Sequence, residues 1–213
     1  MKMELNYDEW KRKDIYEFFS SMSNPFYMVT FREDVTNLYR YTKAHGLSFY
    51  AGMIWACTQA FNQTEAFLMA VKEGKLIRYD RRDPSFTDLN PGEEQFHIVT
   101  MDHMDVIDDF CREAIKRSRA QRDFIDLSRE TDALIYYSCL PWIELTALTN
   151  ERNLSDEESL NDSIPRIAWG KYTEENGRKI IHVSLEVNHR FIDGIHIGKF
   201  SEALEKVMRE LNP

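Results

Sequence analysis

Val187-Asn188-His189-Arg190-Phe191-Ile192-Asp193-Gly194 is the most informative stretch of this 213-residue chain. The alternating apolar run over residues 181–187 that leads into it is typical of a half-buried strand, and residues 195–211 show helical spacing. Asp193-Gly194 between them is a turn signal. A histidine at a strand end, just before a tight turn, can be held rigidly at the rim of a core. His189 is therefore a candidate general base, although a strand-end histidine and a turn aspartate also occur for purely structural reasons.

The histidines of this region do not form a metal-binding pattern. Strand alternation puts His182 and His189 on opposite faces, and His196 completes no HExxH-type helix motif. We therefore predict that the protein uses no metal.

Composition predicts one globular domain over residues 1–213, with a sizeable core. Hydrophobic residues make up 43%, and the formal charge is −9 from 27 basic and 36 acidic residues. That balance disfavours nucleic acid and anionic membranes as partners. Three cysteines without CxxC spacing indicate buried free thiols, and the N-terminus lacks the apolar run of a signal peptide. We expect a cytoplasmic protein.

Periodicity predicts an α+β architecture in which helices cover a mixed β-sheet. The predicted helices span residues 12–20, 34–44, 48–62, 104–119 and 195–211. The predicted strands span residues 26–31, 66–71, 75–80, 95–101, 133–138, 142–147, 166–173 and 179–187. Residues 149–163 are poor in hydrophobic side chains and are predicted to form an exposed loop.

Two polar residues outside the opening stretch stand in informative places. Ser138 ends an apolar strand but lacks the GxSxG elbow of a nucleophilic serine, so a hydrogen-bond donor or an ordinary strand-end serine is the better interpretation. Arg12 lies at a helix start, where its charge opposes the helix dipole, so it either points to solvent or has a carboxylate partner. The aromatic residues that follow it form either core or the wall of an apolar ligand pocket. These are Phe18, Phe19, Phe26 and Tyr27.

Seven separate segments match one known family in the family's order. They are Trp10-Lys11-Arg12-Lys13 with Glu17-Phe18-Phe19, Phe49-Tyr50, Met69-Ala70-Val71-Lys72, Asp83-Pro84-Ser85-Phe86-Thr87, Ser138-Cys139-Leu140-Pro141-Trp142, Gly170-Lys171-Tyr172, and Asn188 to His196. Together they resemble the trimeric chloramphenicol acetyltransferases over nearly the whole chain. The family's signature is His-His-x-x-x-Asp-Gly, whose second histidine, the base, corresponds to His189. Asn188 replaces the first histidine.

The resemblance implies an acetyl-CoA-dependent O-acetyltransferase with the mixed-sheet fold of that family. His189 would take the hydroxyl proton as general base, and Ser138 would donate to the oxyanion. Asp193 and Arg12 would form a buried ion pair that braces the turn, with Asp193 structural rather than a relay partner of the histidine. The implied CoA-binding residues are Tyr50, Trp142, Lys171 and Tyr172, and the implied acceptor-binding residues are Phe18, Phe19, Tyr27 and Thr87. It also implies a homotrimer with active sites between subunits.

Three departures from the family bear on the acyl acceptor. Ala168 stands where a threonine is usual, Arg166 stands where an apolar residue is usual, and residues 149–163 are longer and more acidic than in the family. Chloramphenicol and a more polar small hydroxyl compound therefore both stay open as acceptors. A trimeric binding protein without turnover is the alternative from another class, and loss of the base or of the oxyanion donor would favour it. Both residues are present.

Overall fold

The fold is built on a seven-stranded mixed sheet, and the computed structural model describes residues 2–212. The strands are β1 (Lys2–Leu5), β2 (Phe26–Asp34), β3 (Met69–Lys72), β4 (Lys75–Tyr79), β5 (Asp83–Leu89), β6 (Phe96–Thr100), β7 (Leu134–Leu140), β8 (Arg166–Gly170), β9 (Thr173–Glu175) and β10 (Arg178–Asn188). The helices are α1 (Lys13–Ser20), α2 (Thr36–Ala44), α3 (Phe49–Gln63), α4 (Ile107–Ala120), α5 (Glu157–Leu160) and α6 (Gly194–Arg209).

Strand direction divides the main sheet into two ends. Its order is β2-β10-β8-β7-β5-β6, and β9 pairs with β10. Strands β5, β7 and β8 run parallel to one another, whereas β10 runs antiparallel to both β8 and β2. The carboxyl ends of β5, β7 and β8 therefore lie at one end of the sheet, here called the β7 end. The carboxyl end of β10 lies at the opposite end, here called the β10 end. A separate small sheet has the order β1-β4-β3.

The core lies between helices and one face of the main sheet. Helix α3 is buried continuously from Ala51 to Thr58, as its largely apolar sequence predicts. It begins at Ser48, whose hydroxyl accepts the backbone N–H of Ala51, and this is a common way to cap a helix. Phe61 of α3 stacks on Phe200 of α6, with ring centroids 4.2 Å apart. The α+β fold class that the sequence predicts is confirmed.

The opposite face of the main sheet is polar. One row across it pairs Ser138 with Ala168, Ala168 with Ser184, and Ser184 with Thr30. Residues 143–165 cover part of this face, and the Ser184 hydroxyl is 3.0 Å from both the N–H and the C=O of Leu148. A polar sheet face that its own chain covers only in part can bind a ligand or another subunit.

One predicted strand does not form, and strand β5 was missed, each for a tertiary reason. Residues 142–147 form no strand, because Pro141 lacks the N–H that would continue a ladder and the segment instead crosses Gly170. A Cβ at Gly170 would lie 2.5 Å from the Leu145 nitrogen, so only glycine admits this crossing. Strand β5 was not predicted because Asp83, Pro84 and Asp88 are poor strand formers. Pairing with β6 and β7 outweighs that preference.

Residues 149–163 are not simply an exposed loop. Arg152 donates to Glu186 at 2.6 Å and also pairs with Asp162, and its side chain is 7% exposed. Asn188 donates to the backbone carbonyls of Leu160 and Asp162 at 2.8 and 3.0 Å. These anchors join distant parts of the sequence, so local hydrophobicity gives no sign of them. Three acidic residues of this segment, Asp156, Glu157 and Glu158, are exposed.

Neither a membrane span nor a metal cluster occurs in the described part of the chain. No helix within residues 2–212 has both the length and the apolar composition that crossing a bilayer requires. Over the same residues, His, Cys, Asp and Glu side chains form no group of three or more that could hold a metal ion.

Candidate active site

His189 lies directly after β10, at the rim of the core. Its backbone N–H donates to the carbonyl of Pro25 at 2.8 Å, which joins the strand exit to the start of β2. The imidazole stacks on Phe19 with ring centroids 3.9 Å apart, and it leans against Tyr27 at 4.4 Å. About a third of the side chain, 34%, is exposed. The ring is thus fixed by two aromatic walls but can still be reached by a small molecule.

Arg12 closes the turn that follows His189. Its guanidinium pairs with both carboxylate oxygens of Asp193, and Nη2 lies 2.7 Å from Oδ1. The same guanidinium donates to the carbonyls of His189 at 2.7 Å and Arg190 at 2.9 Å. Arg12 is only 9% exposed, so its charge is removed from water and matched by these acceptors. The ion pair that the family resemblance implies is therefore present.

Asp193 also contacts the imidazole, which the family resemblance did not imply. Its Oδ1 lies 3.3 Å from Nε2 of His189. The carboxylate therefore contacts both the guanidinium and the ring, and its structural role stays a prediction. At this distance the ionised carboxylate would stabilise a protonated ring.

The surroundings keep both groups of this pair deprotonated at neutral pH. Burial lowers the pKa of His189, and the Arg12 charge lowers it further, whereas Asp193 opposes the change. The hydrogen bond from Arg12 lowers the pKa of Asp193 despite partial burial. A neutral imidazole beside an ionised carboxylate results, and a general base needs that arrangement.

Ser138 does not meet His189 within one chain. The strand pairings place Ser138 level with Ser184, five residues before His189 along β10. At about 3.3 Å per residue, that is roughly 17 Å along the sheet, with two strand spacings of about 4.8 Å across it. The cause is strand direction: β7 ends at one end of the sheet and β10 at the other.

The predicted CoA-binding residues lie toward the β7 end with Ser138. The hydroxyl of Tyr50 donates to the carbonyl of Thr87 at 2.5 Å. The backbone N–H of Lys171 donates to Ile143 at 2.7 Å, just beyond the end of β8, and Tyr172 follows it. Trp142 is 73% exposed directly after β7. An exposed indole and an exposed ammonium at one strand end suit a ligand with a ring and phosphates.

The four predicted acceptor-binding residues are divided between the two ends. Phe19 and Tyr27 contact the His189 ring, and Phe18, 60% exposed, packs edge-on against Phe19. Thr87 is on β5, one residue beyond the pair Phe86 and Tyr137, and so lies beside Ser138. One chain therefore supplies the aromatic wall next to the base, and it supplies the polar wall at the far end.

Arg190 is a site-forming residue that the sequence did not reveal. It is 2% exposed and donates to Asn161 at 2.6 Å and to the Ser20 carbonyl at 3.2 Å. Asn188 accepts its backbone N–H at 3.0 Å. These contacts connect the strand exit to α1 and to the anchored segment, which local sequence does not indicate.

Breaking the Arg12–Asp193 pair is expected to cost stability. In Arg12→Ala the Asp193 carboxylate loses its charged partner and two buried carbonyls lose their donor, so the free energy of unfolding should fall by about 3–5 kcal/mol. Because Arg12 depresses the pKa of Asp193, this contribution is complete above the unfolded carboxyl pKa of about 3.9 and is lost as pH falls through the folded value. Urea denaturation at pH 7 and in acid, at one protein concentration, measures both effects.

The matched control is Lys13→Ala. Lys13 is the next residue, and within residues 2–212 it pairs with the exposed carboxylate of Asp8, so we expect little change in stability. Equal losses for the two variants would contradict the bracing role of Arg12.

This architecture, with a strand-end histidine and a half-covered polar sheet face, is the fold of the CoA-dependent acyltransferases. A dihydrolipoamide acetyltransferase of Azotobacter vinelandii superposes with a TM-score of 0.68 at 16% identity, covering 90% of this chain and 84% of that one. A solved chloramphenicol acetyltransferase superposes with a TM-score of 0.86 at 23% identity, covering 98% of this chain and 100% of that one.

The sequence identifies the family within that class. The model of the chloramphenicol acetyltransferase family matches residues 2–205, and the chain belongs to this family. Chloramphenicol acetyltransferase 3 of Escherichia coli is 26% identical over 202 residues, which cover 93% of this chain and 92% of the relative. The chloramphenicol acetyltransferase of Clostridium perfringens is 26% identical over 211 residues, which cover 96% and 94%.

Proposed function

We propose that this single-domain protein is an acetyl-CoA-dependent O-acetyltransferase that acts on chloramphenicol as a homotrimer with active sites between subunits. The observation that carries the proposal is the neutral, reachable imidazole of His189 held against Asp193. The intersubunit site is supported by the sheet, which puts His189 and Ser138 at opposite ends of one protomer. A subunit that turned its β7 end toward a neighbour's β10 end would join the two groups.

The proposed chemistry is a direct transfer in a ternary complex. The His189 nitrogen that faces away from Asp193 takes the acceptor's hydroxyl proton as its oxygen attacks the thioester carbonyl. Ser138 of the partner subunit donates to the resulting oxyanion. Collapse of the tetrahedral intermediate breaks the carbon–sulfur bond, and the CoA thiolate leaves with the proton that His189 held. Asp193 stabilises the imidazolium that exists between these steps.

Ser138 is suited to the role of oxyanion donor. Its side chain is half-buried on the polar face of the sheet. Within residues 2–212 its hydroxyl makes no hydrogen bond, so its donor is not already used by its own protomer. A donor of this kind typically contributes on the order of 10²–10³ in rate.

A more polar acceptor is the second candidate, and the surroundings of Ser138 favour it. In the row next to Ser138 and Ala168, Arg166 pairs with Tyr136 across the strands, and its guanidinium carbon is 5.6 Å from the Tyr136 ring. The Tyr136 hydroxyl donates to Glu130 at 2.9 Å. A hydroxyl compound with further polar groups would find partners here, whereas a purely apolar acceptor would cover these polar groups without bonding them.

Thiol release from acetyl-CoA tests the proposal. Purified protein is assayed with chloramphenicol and with a panel of hydroxyl compounds that differ in charge and polarity. Saturation by chloramphenicol at low concentration with rapid turnover supports the first candidate, and turnover only with polar members of the panel supports the second. CoA binding with no transfer to any acceptor would overturn both and leave a trimeric binding protein.

We propose that the protein resides in the cytoplasm, because a reducing compartment keeps cysteines as free thiols. Cys57 and Cys111 are buried and Cys139 is half-buried, and all three are free. Burial raises the pKa of each thiol, so none is poised as a nucleophile at neutral pH.

A further inference from the structure

His196 makes a hydrogen bond that determines its tautomer. Its Nδ1 lies 2.9 Å from the backbone nitrogen of Asp193. A backbone N–H can only donate, so Nδ1 must carry a lone pair and the ring must be neutral with its proton on Nε2. In return the backbone N–H of His196 donates to the carbonyl of Asp193 at 2.9 Å.

This bond is one half of a capping box at the start of α6. An N-cap aspartate normally turns its carboxylate onto the free N–H groups of the first turn. Here the carboxylate of Asp193 also pairs with Arg12 and contacts the His189 ring. The side chain of His196 holds the backbone of Asp193 from the other side. Three residues therefore determine where this carboxylate sits.

Protons can reach His196 from a cleft of about 1040 Å³. The cleft lies between the N-terminal segment, the turn at 63–66 and α6. The charged groups around it are Glu9, Lys11, Arg12, Glu65, Asp193, Lys199, Glu202 and Lys206. Burial lowers the pKa of His196, Arg12 and Lys199 lower it further, and Asp193 opposes them. The ring is thus neutral at physiological pH and becomes charged in acid.

We propose that His196 is a positioning residue for acetyl transfer: its neutral Nδ1 holds the Asp193 backbone so that the carboxylate keeps the His189 ring in its working orientation. The inference rests on the proposed function. A protonated His196 would turn an N–H toward the N–H of Asp193, and the turn would lose this contact. Activity in acid would then be limited by two imidazoles: His189, which must accept a proton, and His196, which must not have one.

Three variants test the role. His196→Ala removes the acceptor and should lower kcat by roughly 10-fold to 100-fold with little change in KM for acetyl-CoA, as expected when a catalytic group is slightly misplaced. His196→Asn keeps an acceptor oxygen near the Nδ1 position and should restore most of kcat. Lys199→Ala, one helix turn further along α6, removes an exposed charge without touching the Asp193 backbone and should keep the wild-type kcat at pH 7.

The pH profile separates positioning from mere folding. The wild-type kcat/KM should fall in acid as steeply as two protonations require. The kcat/KM of His196→Asn, whose side chain does not titrate there, should fall only as steeply as one protonation requires. Nitrogen-labelled histidine in the inactive His189→Ala background reports the tautomer without turnover, and Nδ1 of His196 should be unprotonated at pH 7. Finding a proton on Nδ1 of His196 would overturn the inference. So would a His196→Ala variant whose kcat and whose loss of activity in acid both equal those of the wild type. An inactive wild type would overturn the proposed function, and the tautomer measurement would still stand.

Discussion

His189→Ala is expected to lower kcat/KM for acetyl transfer by about 10²–10⁴-fold, the range typical of a lost general base. The ring is the group that Phe19, Tyr27 and Asp193 together orient, and alanine leaves no group there to take the hydroxyl proton. Affinity for CoA should change little, because the substitution leaves all the proposed CoA-binding residues in place. Thiol release gives kcat/KM, and calorimetry with CoA gives the dissociation constant.

The pH dependence of wild-type activity also tests the assignment of His189 as the general base. Burial holds the pKa of His189 below the free-histidine value of about 6.5, so a base that must be neutral is fully available at pH 7. Activity should therefore be flat around neutrality and fall only in acid. The matched control is His182→Ala, the same residue type on the same strand, which should keep wild-type activity. Equal rates for wild type and His189→Ala would refute the base assignment.

A mixture of two inactive variants is expected to regain activity. His189→Ala subunits keep Ser138, and Ser138→Ala subunits keep His189. If each site takes its base from one chain and its oxyanion donor from the next, random trimers contain about a quarter of sites with both groups intact. Each variant alone has none. The expected recovery is therefore roughly a quarter of wild-type activity in the whole mixture and roughly a third in purified mixed trimers, which have one intact site in three, compared with losses of about 10²-fold or more in the parents.

Co-expression with two different affinity tags, followed by sequential purification, isolates the mixed oligomers. The control mixes His189→Ala with the double variant His189→Ala/Ser138→Ala, which has no intact base and should show no recovery. Mixed trimers without regained activity would mean that base and donor do not meet across a subunit boundary. The sheet would then have to rearrange for one chain to supply both, since its registers keep them apart.

Helices and the long strands were predictable because their patterns are local. The buried α3, the amphipathic α6 and the strand over residues 178–188 follow from periods of 3.6 and 2. The strand at Asp83–Leu89 and the anchoring of residues 149–163 were not, because pairing and ion pairs between distant residues override local composition. The site residues around His189 came from motifs, and the contact between Asp193 and its ring came only from geometry.

The sequence by itself determined the α+β class, the family and the residues that could carry acetyl transfer, because residue type and order are enough for periodicity and motif. The tertiary structure alone decided which of those residues meet. Strand direction puts Ser138 and His189 at opposite ends of one sheet, and direction depends on crossover connections that no local pattern contains. The tertiary structure also decided that the Asp193 carboxylate faces Arg12 and the His189 ring and that His196 holds the Asp193 backbone. These contacts form only when the turn is closed and the N-terminal segment packs against it.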